Sequence, residues 1–323
     1  MNILVTGGAG YIGSICVEQM LNAGYKVTVF DSLVEGHRLA IDSRAEFVQG
    51  DLGDRDFIFQ TLAKVKPDAV MHFAAFALVG ESMTDPSKYF RNNLTNGINL
   101  IDAMVAAGVK KLVFSSTCAT YGIPEKVPMD ERTPQKPINP YGQSKLMFEQ
   151  VLKWYDQIHG LVHVNLRYFN AAGASEKFGE DHRIETHLIP NVLKVALGQK
   201  EQVEIYGDKY TTPDGTCIRD FIHIFDLAAA HMLALKRETS SVYNLGTGEG
   251  YSVQQVIDVA RKVTGHPIPT VVKEGRQGDP ARLVASAHKA AQELGWKPQY
   301  NRLQPIIESA WKWHLAHPGG YGD

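Results

Sequence analysis

Short apolar runs alternate with amphipathic stretches through the first half of the chain. Residues 3–6 read Ile-Leu-Val-Thr, an uninterrupted apolar run of strand length, which predicts a buried strand. Residues 11–23 carry helical spacing, and Gly24 stands where a helix stop belongs. The pattern then repeats. Strands are predicted over 26–31, 45–49, 69–73, 111–115 and 162–168, and helices over 54–64, 86–107 and 141–159. Within 141–159, Met147, Val151, Trp154 and Ile158 form an apolar stripe on one face. Strands alternating with helices imply right-handed βαβ units and a doubly wound α/β fold around a parallel sheet.

The remainder is less regular. Pro124, Pro128, Pro134, Pro137 and Pro140 crowd one segment, which reads as a loop over the edge of the sheet, and Pro213-Asp214-Gly215 is a turn signal. Helices are predicted near 187–198, 226–236, 252–264 and 303–316, the third with an apolar face of Val253, Val256, Ile257, Ala260 and Val263. No internal repeat, low-complexity segment or flexible linker interrupts the chain. At 323 residues, two closely packed domains are expected. The boundary falls near 170, with later segments returning to the first domain.

Composition removes several function classes. The chain is 44% hydrophobic and 21% charged, which is ordinary for a globular protein. A net charge of −2 lacks the basic excess of a dedicated nucleic-acid binder. No apolar run reaches the roughly 18 residues of a membrane span. A strand beginning at residue 3 leaves no room for a secretory leader. Cys16, Cys118 and Cys217 are odd in number and widely spaced, which suggests neither a disulfide framework nor a metal site. A reducing cytoplasm is the expected location.

The chemistry starts at the first turn. Gly7-Gly8-Ala9-Gly10-Tyr11-Ile12-Gly13 lies between the first strand and the first helix, and Gly7, Gly10 and Gly13 fit a dinucleotide-binding turn. Glycine there allows a tight turn, close backbone approach to a pyrophosphate and close helix–sheet packing. The helix N-terminus then offers free N–H groups to phosphate. Asp31, 18 residues beyond Gly13 at the end of the second strand, suits the adenine ribose hydroxyls. Its carboxylate would repel a 2′-phosphate, so NAD is favoured over NADP. Asp51, after the third strand, either accepts from the adenine amino group or caps helix 54–64. Tyr141-Gly-Gln-Ser-Lys145 puts a phenol and an ammonium on one helix face. A free tyrosine titrates near about 10, and a neighbouring cation favours its phenolate, making a usable general base. Ser115-Ser116-Thr117 ends the 111–115 strand at the sheet edge where such folds bind ligands, so Thr117 is expected to share a substrate hydroxyl with Tyr141.

These features, together with His72-Phe-Ala-Ala75, Gly80-Glu-Ser82, Tyr121-Gly122 and Arg167-Tyr-Phe-Asn170, resemble the extended short-chain dehydrogenase/reductases. Tyr206-Gly-Asp208, Asp214-Gly-Thr216, Arg219-Asp-Phe-Ile-His223, Tyr243-Asn-Leu-Gly246, Arg276-Gln-Gly-Asp279 and His317-Pro-Gly-Gly-Tyr321 extend the likeness over the whole chain and narrow it to the UDP-glucose 4-epimerase family. The resemblance implies an NAD-binding Rossmann domain over 1–170 and a smaller UDP-sugar-binding α/β domain over 171–323. It implies hydride transfer from sugar C4 to NAD, a transient 4-keto sugar, and return of hydride to the other face. Tyr141 would be the base, assisted by Lys145 and Thr117. Cofactor contacts would come from Gly7, Gly10, Tyr11, Ile12, Gly13, Asp31, Ser32, Asp51, Leu52, Phe73, Ala74, Ala75, Asn92, Ser115 and Tyr168, with Tyr141 and Lys145. The UDP-sugar would meet Thr117, Tyr141, Asn170, His187, Leu188, Tyr206, Arg219, Arg276, Asp279 and Leu283. Arg219 and Arg276 would take the diphosphate and Asp279 the uridine ribose, and Leu283 would wall the hexose near its 2-substituent. A homodimer through helices 86–107 and 141–159 is implied, and no metal, nucleic acid or membrane partner. Ala77 and His187 depart from residues found in some relatives, lysine and asparagine respectively. The nucleotide-sugar 4,6-dehydratases carry an Asp-Glu pair after the catalytic threonine. Cys118-Ala119 stand here instead, which disfavours dehydration. UDP-uronate epimerases or decarboxylases and a non-catalytic NAD sensor remain as alternatives.

Overall fold

A computed structural model describes residues 1–276 and 279–322. Gln277 and Gly278, inside the Arg276–Asp279 motif, lie outside the described residues.

The strands are β1 (Asn2–Thr6), β2 (Lys26–Asp31), β3 (Glu46–Gln49), β4 (Ala69–His72), β5 (Lys111–Thr117), β6 (Val162–Tyr168), β7 (Asn170–Ala172), β8 (Val203–Tyr206), β9 (Ile218–Arg219), β10 (Phe221–His223), β11 (Ser241–Leu245), β12 (Tyr251–Ser252), β13 (Thr270–Lys273) and β14 (Arg282–Leu283). The helices are α1 (Tyr11–Asn22), α2 (Arg55–Val65), α3 (Val79–Ser82), α4 (Pro86–Tyr89), α5 (Asn96–Ala106), α6 (Pro140–His159), α7 (Leu188–Ala196), α8 (Ile224–Ala234), α9 (Val253–Thr264), α10 (His288–Leu294) and α11 (Leu303–Ala316).

Seven parallel strands form the main sheet in the order β11-β6-β5-β4-β1-β2-β3. Strand order reverses between β1 and β4, so their carboxyl ends open the crevice where such sheets bind ligands. Two apolar layers cover the sheet. Ile15, Val17 and Met20 of α1 share one cluster with Leu227, Ala230 and Ala234 of α8. Leu100, Ile101 and Met104 of α5 share another with Phe148 and Leu152 of α6. The second half has its own core, in which Ile189, Val192 and Leu193 of α7 meet Val256, Ile257 and Ala260 of α9 and Ile306 and Ile307 of α11.

The helix predicted over 86–107 is present as one uninterrupted helical run, in which α4 passes into a π-helical turn over Phe90–Thr95 and then into α5. The side chain of buried Asn93 accepts from Phe76 N and donates to Phe76 O, both at 2.9 Å, clipping the wide turn to the loop after β4. The stripe Met147–Val151–Trp154–Ile158 is not the buried face of α6. Trp154 and Ile158 are 63% and 68% exposed, and the core side carries Lys145, Phe148, Glu149 and Leu152. Two polar residues on the buried face hide it from a hydrophobicity pattern.

Candidate active site

The turn between β1 and α1 is built by backbone crowding. Gly7 has φ +76°, and a Cβ there would lie 2.4 Å from Ala74 N. A Cβ on Gly13 would lie 2.1 Å from Gly7 O, so this glycine serves helix–strand packing and does not face the cleft. Gly10 is the N-cap of α1 with no side-chain cap, and the nearest atom to an added Cβ is 3.5 Å away. The turn is thus a cradle with open backbone on one side and uncapped N–H groups, which fits a pyrophosphate.

A single cleft collects Gly7, Gly10, Asp31, Ser32, Asp51, Leu52, Phe73, Ala74, Ala75 and Asn92, all predicted cofactor contacts. It also takes Phe30, Val34, Glu35, Gly36, Gly50 and Phe76, which the sequence did not single out. Asp31 accepts from Ala9 N at 2.9 Å and Leu33 N at 2.8 Å. Burial pushes its carboxyl up, and those two bonds oppose the shift. Asp51 accepts from Gly53 N at 2.6 Å, whereas Asp54 caps α2 by accepting from Phe57 N at 3.0 Å. The capping alternative for Asp51 is therefore wrong. Tyr11 turns its hydroxyl away from the cleft and donates to Gly173 O at 2.6 Å, pinning α1 to the segment after β7. Ile12 packs against the α1 core and is likewise absent from the cleft lining.

The reactive groups meet at the end of β5. Asn139 caps α6 by accepting from Gly142 N at 2.8 Å, with Pro140 in the first turn. A Cβ on Gly142 would lie 2.4 Å from Ala119 O, so this glycine lets α6 start against the turn that carries Thr117. Burial pushes the Tyr141 phenol up to about 12, and a hydrogen bond with Thr117 pulls against that. Lys145 Nζ donates to Ser115 O at 2.8 Å and lies 4.8 Å from the centre of the Phe114 ring. Burial draws this ammonium down to about 7, with Glu149 opposing. The hydroxyls of Ser115 and Tyr168 form a short hydrogen bond beside it. The sequence reading made Lys145 the main influence on Tyr141. Here desolvation is the largest influence on each, Lys145 being buried and Tyr141 half-buried at the start of α6.

The predicted substrate residues fall into smaller groups. Arg219 Nη2 pairs with Asp279 at 2.5 Å, and Nη1 donates to Ile218 O and Pro280 O at 2.8 and 2.9 Å. Arg219 also stands in register with Leu283 across β9 and β14. Leu283 and Cys118 pack on one cluster of Tyr121, Met129, Phe169 and Ala285. The Arg219 charge acts on the Cys118 thiol, whose ionisation burial pushes up to about 12. This end of the second half therefore stands beside Thr117. Arg276 stacks over Tyr206 at 4.2 Å, and the Tyr206 hydroxyl donates to Glu204 at 2.6 Å. Asn170 Nδ2 donates to Asp220 O at 3.0 Å, and Leu188 packs on the core of the second half. His187 Nδ1 bonds Glu180 at 2.5 Å, and its backbone N–H donates to Glu185 at 2.7 Å. Burial lowers this imidazole, but Glu180 and Glu185 outweigh it and raise it to about 9. Glu180, His182, Glu185 and His187 bring ligand-type atoms within 4.8 Å of one another, and they are spent on each other as imidazole–carboxylate pairs. Only Glu180 and Glu185, seven and two residues before His187, hinted at this grouping.

Comparison with known proteins agrees with this geometry. The chain is 52% identical over 329 residues to the UDP-glucose 4-epimerase of Lacticaseibacillus casei, covering 100% of this chain and 99% of that one. The structure of UDP-glucose 4-epimerase from Bifidobacterium longum in complex with NAD+ and UDP is 40% identical, with a TM-score of 0.95 over 99% of this chain and 100% of that one. The UDP-Glc/GlcNAc 4-epimerase from Campylobacter jejuni is 41% identical, with a TM-score of 0.86 over 98% and 99% of the two chains. Residues 3–246 match the NAD dependent epimerase/dehydratase family, and with the glycine cradle, the acidic strand end and the tyrosine–lysine helix in place, the chain belongs to that family.

Proposed function

We propose that this chain is an NAD-dependent epimerase that interconverts UDP-glucose and UDP-galactose by inverting C4. The observation that carries the reading is the start of α6, with Tyr141, seated against the turn after Thr117 while Lys145 donates to Ser115 O at the end of β5. Gly7, Gly10, Asp31, Asp51 and Asn92 would hold the cofactor. When bound, NAD supplies a hydride acceptor and donor for C4 and a positive charge that favours phenolate. Tyr141 takes the 4-hydroxyl proton through or alongside Thr117 and later returns it, while Lys145 holds positive charge at Ser115 O. Arg219, paired with Asp279, and Arg276, stacked on Tyr206, anchor the nucleotide; guanidinium suits phosphate because it pairs bidentately. His187, held cationic by Glu180, adds a donor for phosphate.

Leu283 beside Cys118 supports a second activity. Leucine leaves a wall shorter than tyrosine would, and the UDP-Glc/GlcNAc enzyme is among the similar structures, so turnover of the N-acetylated pair is proposed as well. We read 1–170 as the cofactor domain and 171–323 as the substrate domain, with β11 returning to the first. A homodimer would cover Trp154 and Ile158 on α6. Three free cysteines suit the cytoplasm, and among the described residues no helix is long and apolar enough to cross a membrane.

The test is direct. Purified protein given UDP-galactose should form UDP-glucose, and Tyr141→Phe should keep less than a tenth of kcat while still binding NAD and UDP. A tenth corresponds to about 1.4 kcal/mol of barrier, and a smaller loss would remove Tyr141 as the principal base.

A further inference from the structure

The reaction as described leaves the Arg167 motif and Ser116 without a role. Arg167 lies on β6 next to Tyr168, and Glu149 lies on α6 four residues after Lys145; their side chains are 4% and 2% exposed. Glu149 Oε1 accepts from Ser116 Oγ at 2.5 Å and from Arg167 Nε at 2.9 Å, and its Oε2 pairs with Arg167 Nη2. Arg167 Nη1 donates to the Tyr121 hydroxyl at 3.0 Å, which donates to Asn244 Oδ1 at 2.6 Å. Asn244 Nδ2 in turn donates to Met129 O at 3.0 Å. Ser116 stands between Ser115, whose carbonyl receives Lys145, and Thr117, which bonds Tyr141. The carboxylate therefore ties α6 to β5 at the residue that separates the two reactive contacts.

We propose that Glu149, clamped by Arg167, is a positioning residue for the Tyr141–Lys145 pair, fixing the end of β5 against α6 and supplying the anion that keeps Lys145 an ammonium. The inference rests on the epimerase reading above. The isolated charges would be costly to bury, and the pair is satisfied only because Ser116 and Tyr121 supply further hydrogen bonds. Burial draws Lys145 down to about 7, and Glu149 is the group that opposes it. The other groups facing this region do not replace that anion. His72 on β4 is held neutral, lowered to about 3 by burial and by Lys145 itself. Tyr168 on β6, Tyr141 on α6 and Cys118 after β5 are all raised by burial, so none of them is a standing anion beside Lys145 before the cofactor binds. Glu81 on α3 is paired with Lys88 on α4 and bonded by Tyr89, and Asp102 on α5 is bonded by Tyr155. Arg91 of the π-helical turn bonds Ser87. Arg167 is buried and paired with Glu149, which is the carboxylate on the buried face of α6 that also carries Lys145.

The experiment measures kcat for UDP-galactose from pH 6 to 9.5 in wild type, Glu149→Gln, Arg167→Met and Tyr141→Phe. The active form carries the Lys145 ammonium, so activity falls as pH rises through the Lys145 pKa. Glu149→Gln removes the anion and leaves the guanidinium, so the alkaline limb should move about one pH unit down. At pH 8.5 that is about a tenfold loss of kcat, against less than threefold at pH 6, with KM changed less than twofold. Arg167→Met leaves the anion and should move the limb up. A structural role alone would give pH-independent losses, and that result, or limbs at the wild-type position in both variants, overturns the inference. Where one variant fails to fold, the sign of the shift in the other decides. Where both fail, Ser116→Ala decides: it leaves both charges in place and cuts the tie between Glu149 and β5, so kcat should fall at least about threefold with KM changed less than twofold, and an unchanged kcat refutes the positioning. An active Tyr141→Phe would sink the epimerase reading itself; an inactive one with unmoved limbs would sink only the role of Glu149.

Discussion

Gly142→Ala offers a sharp test because the residue touches no ligand and carries no chemistry, yet it sets how closely Tyr141 approaches Thr117. The added methyl would stand 2.4 Å from Ala119 O and 2.9 Å from Ala119 C, both backbone atoms that cannot swing aside. Reaching an ordinary contact means parting the start of α6 from the 118–120 turn by about 1 Å. Overpacking of this kind typically costs about 1–3 kcal/mol, which a domain of this size survives. A displacement of about 1 Å between reacting groups is worth about a hundredfold in rate. We therefore expect kcat to fall about a hundredfold, with UDP affinity changed less than threefold and a cooperative thermal transition retained. Gly80→Ala is the matched control, since nothing lies within 4 Å of its added Cβ. It should leave kcat unchanged and be neutral or slightly stabilising, by up to about 1 kcal/mol. The measurements are steady-state kcat, calorimetric UDP binding and thermal denaturation on all three proteins. A Gly142→Ala enzyme within twofold of wild-type kcat would show that the helix and the turn yield without moving the phenol, and the geometric argument would fail.

Three further expectations follow from the same contacts. Leu283→Tyr should cut kcat/KM on the N-acetylated pair at least tenfold, about 1.4 kcal/mol, while sparing the hexose pair; equal losses on both would show that Leu283 does not face the 2-substituent. Turnover in D2O should place no deuterium at sugar C4, because the hydrogen never leaves as a proton, and incorporation there would exclude hydride transfer. His187 is raised to about 9 by its glutamates against the opposing effect of burial, so its pairing stabilises the fold fully below its ordinary value near 6.5 and is lost as pH rises through about 9. Glu180→Gln should then lower Tm more at pH 6 than at pH 10, and a gap independent of pH would refute the pairing.

What could be read in advance was local. The glycine turn, the acid at the end of β2 and the Tyr141–Lys145 spacing each declare themselves within a few residues, because the turn, strand end and helix that need them are contiguous. The Arg219–Asp279 pair joins positions 60 residues apart, and no pattern along the chain announces it. The short strands β7, β9, β10, β12 and β14 have two or three residues each and exist only through their partners. The buried side of α6 could not be read from its apolar stripe, because Lys145 and Glu149 stand among its buried residues while Trp154 and Ile158 of the stripe are exposed. The π-helical turn at Phe90–Thr95 carries no signal along the chain, since Asn93 within it bonds Phe76, 17 residues away.

Strand β11 has a consequence for how the molecule is made. It pairs with β6 over Ser241–Leu245, and only then does the main sheet reach its full width. Until those residues leave the ribosome, β6 is a seven-residue border with open hydrogen-bonding groups, the kind of edge that recruits other chains. The nascent protein must carry this sticky margin through the synthesis of about seventy more residues, from Tyr168 to Ser241. A gene cut at residue 170 would deliver the whole glycine cradle and the tyrosine–lysine helix, and would leave that margin permanently bare.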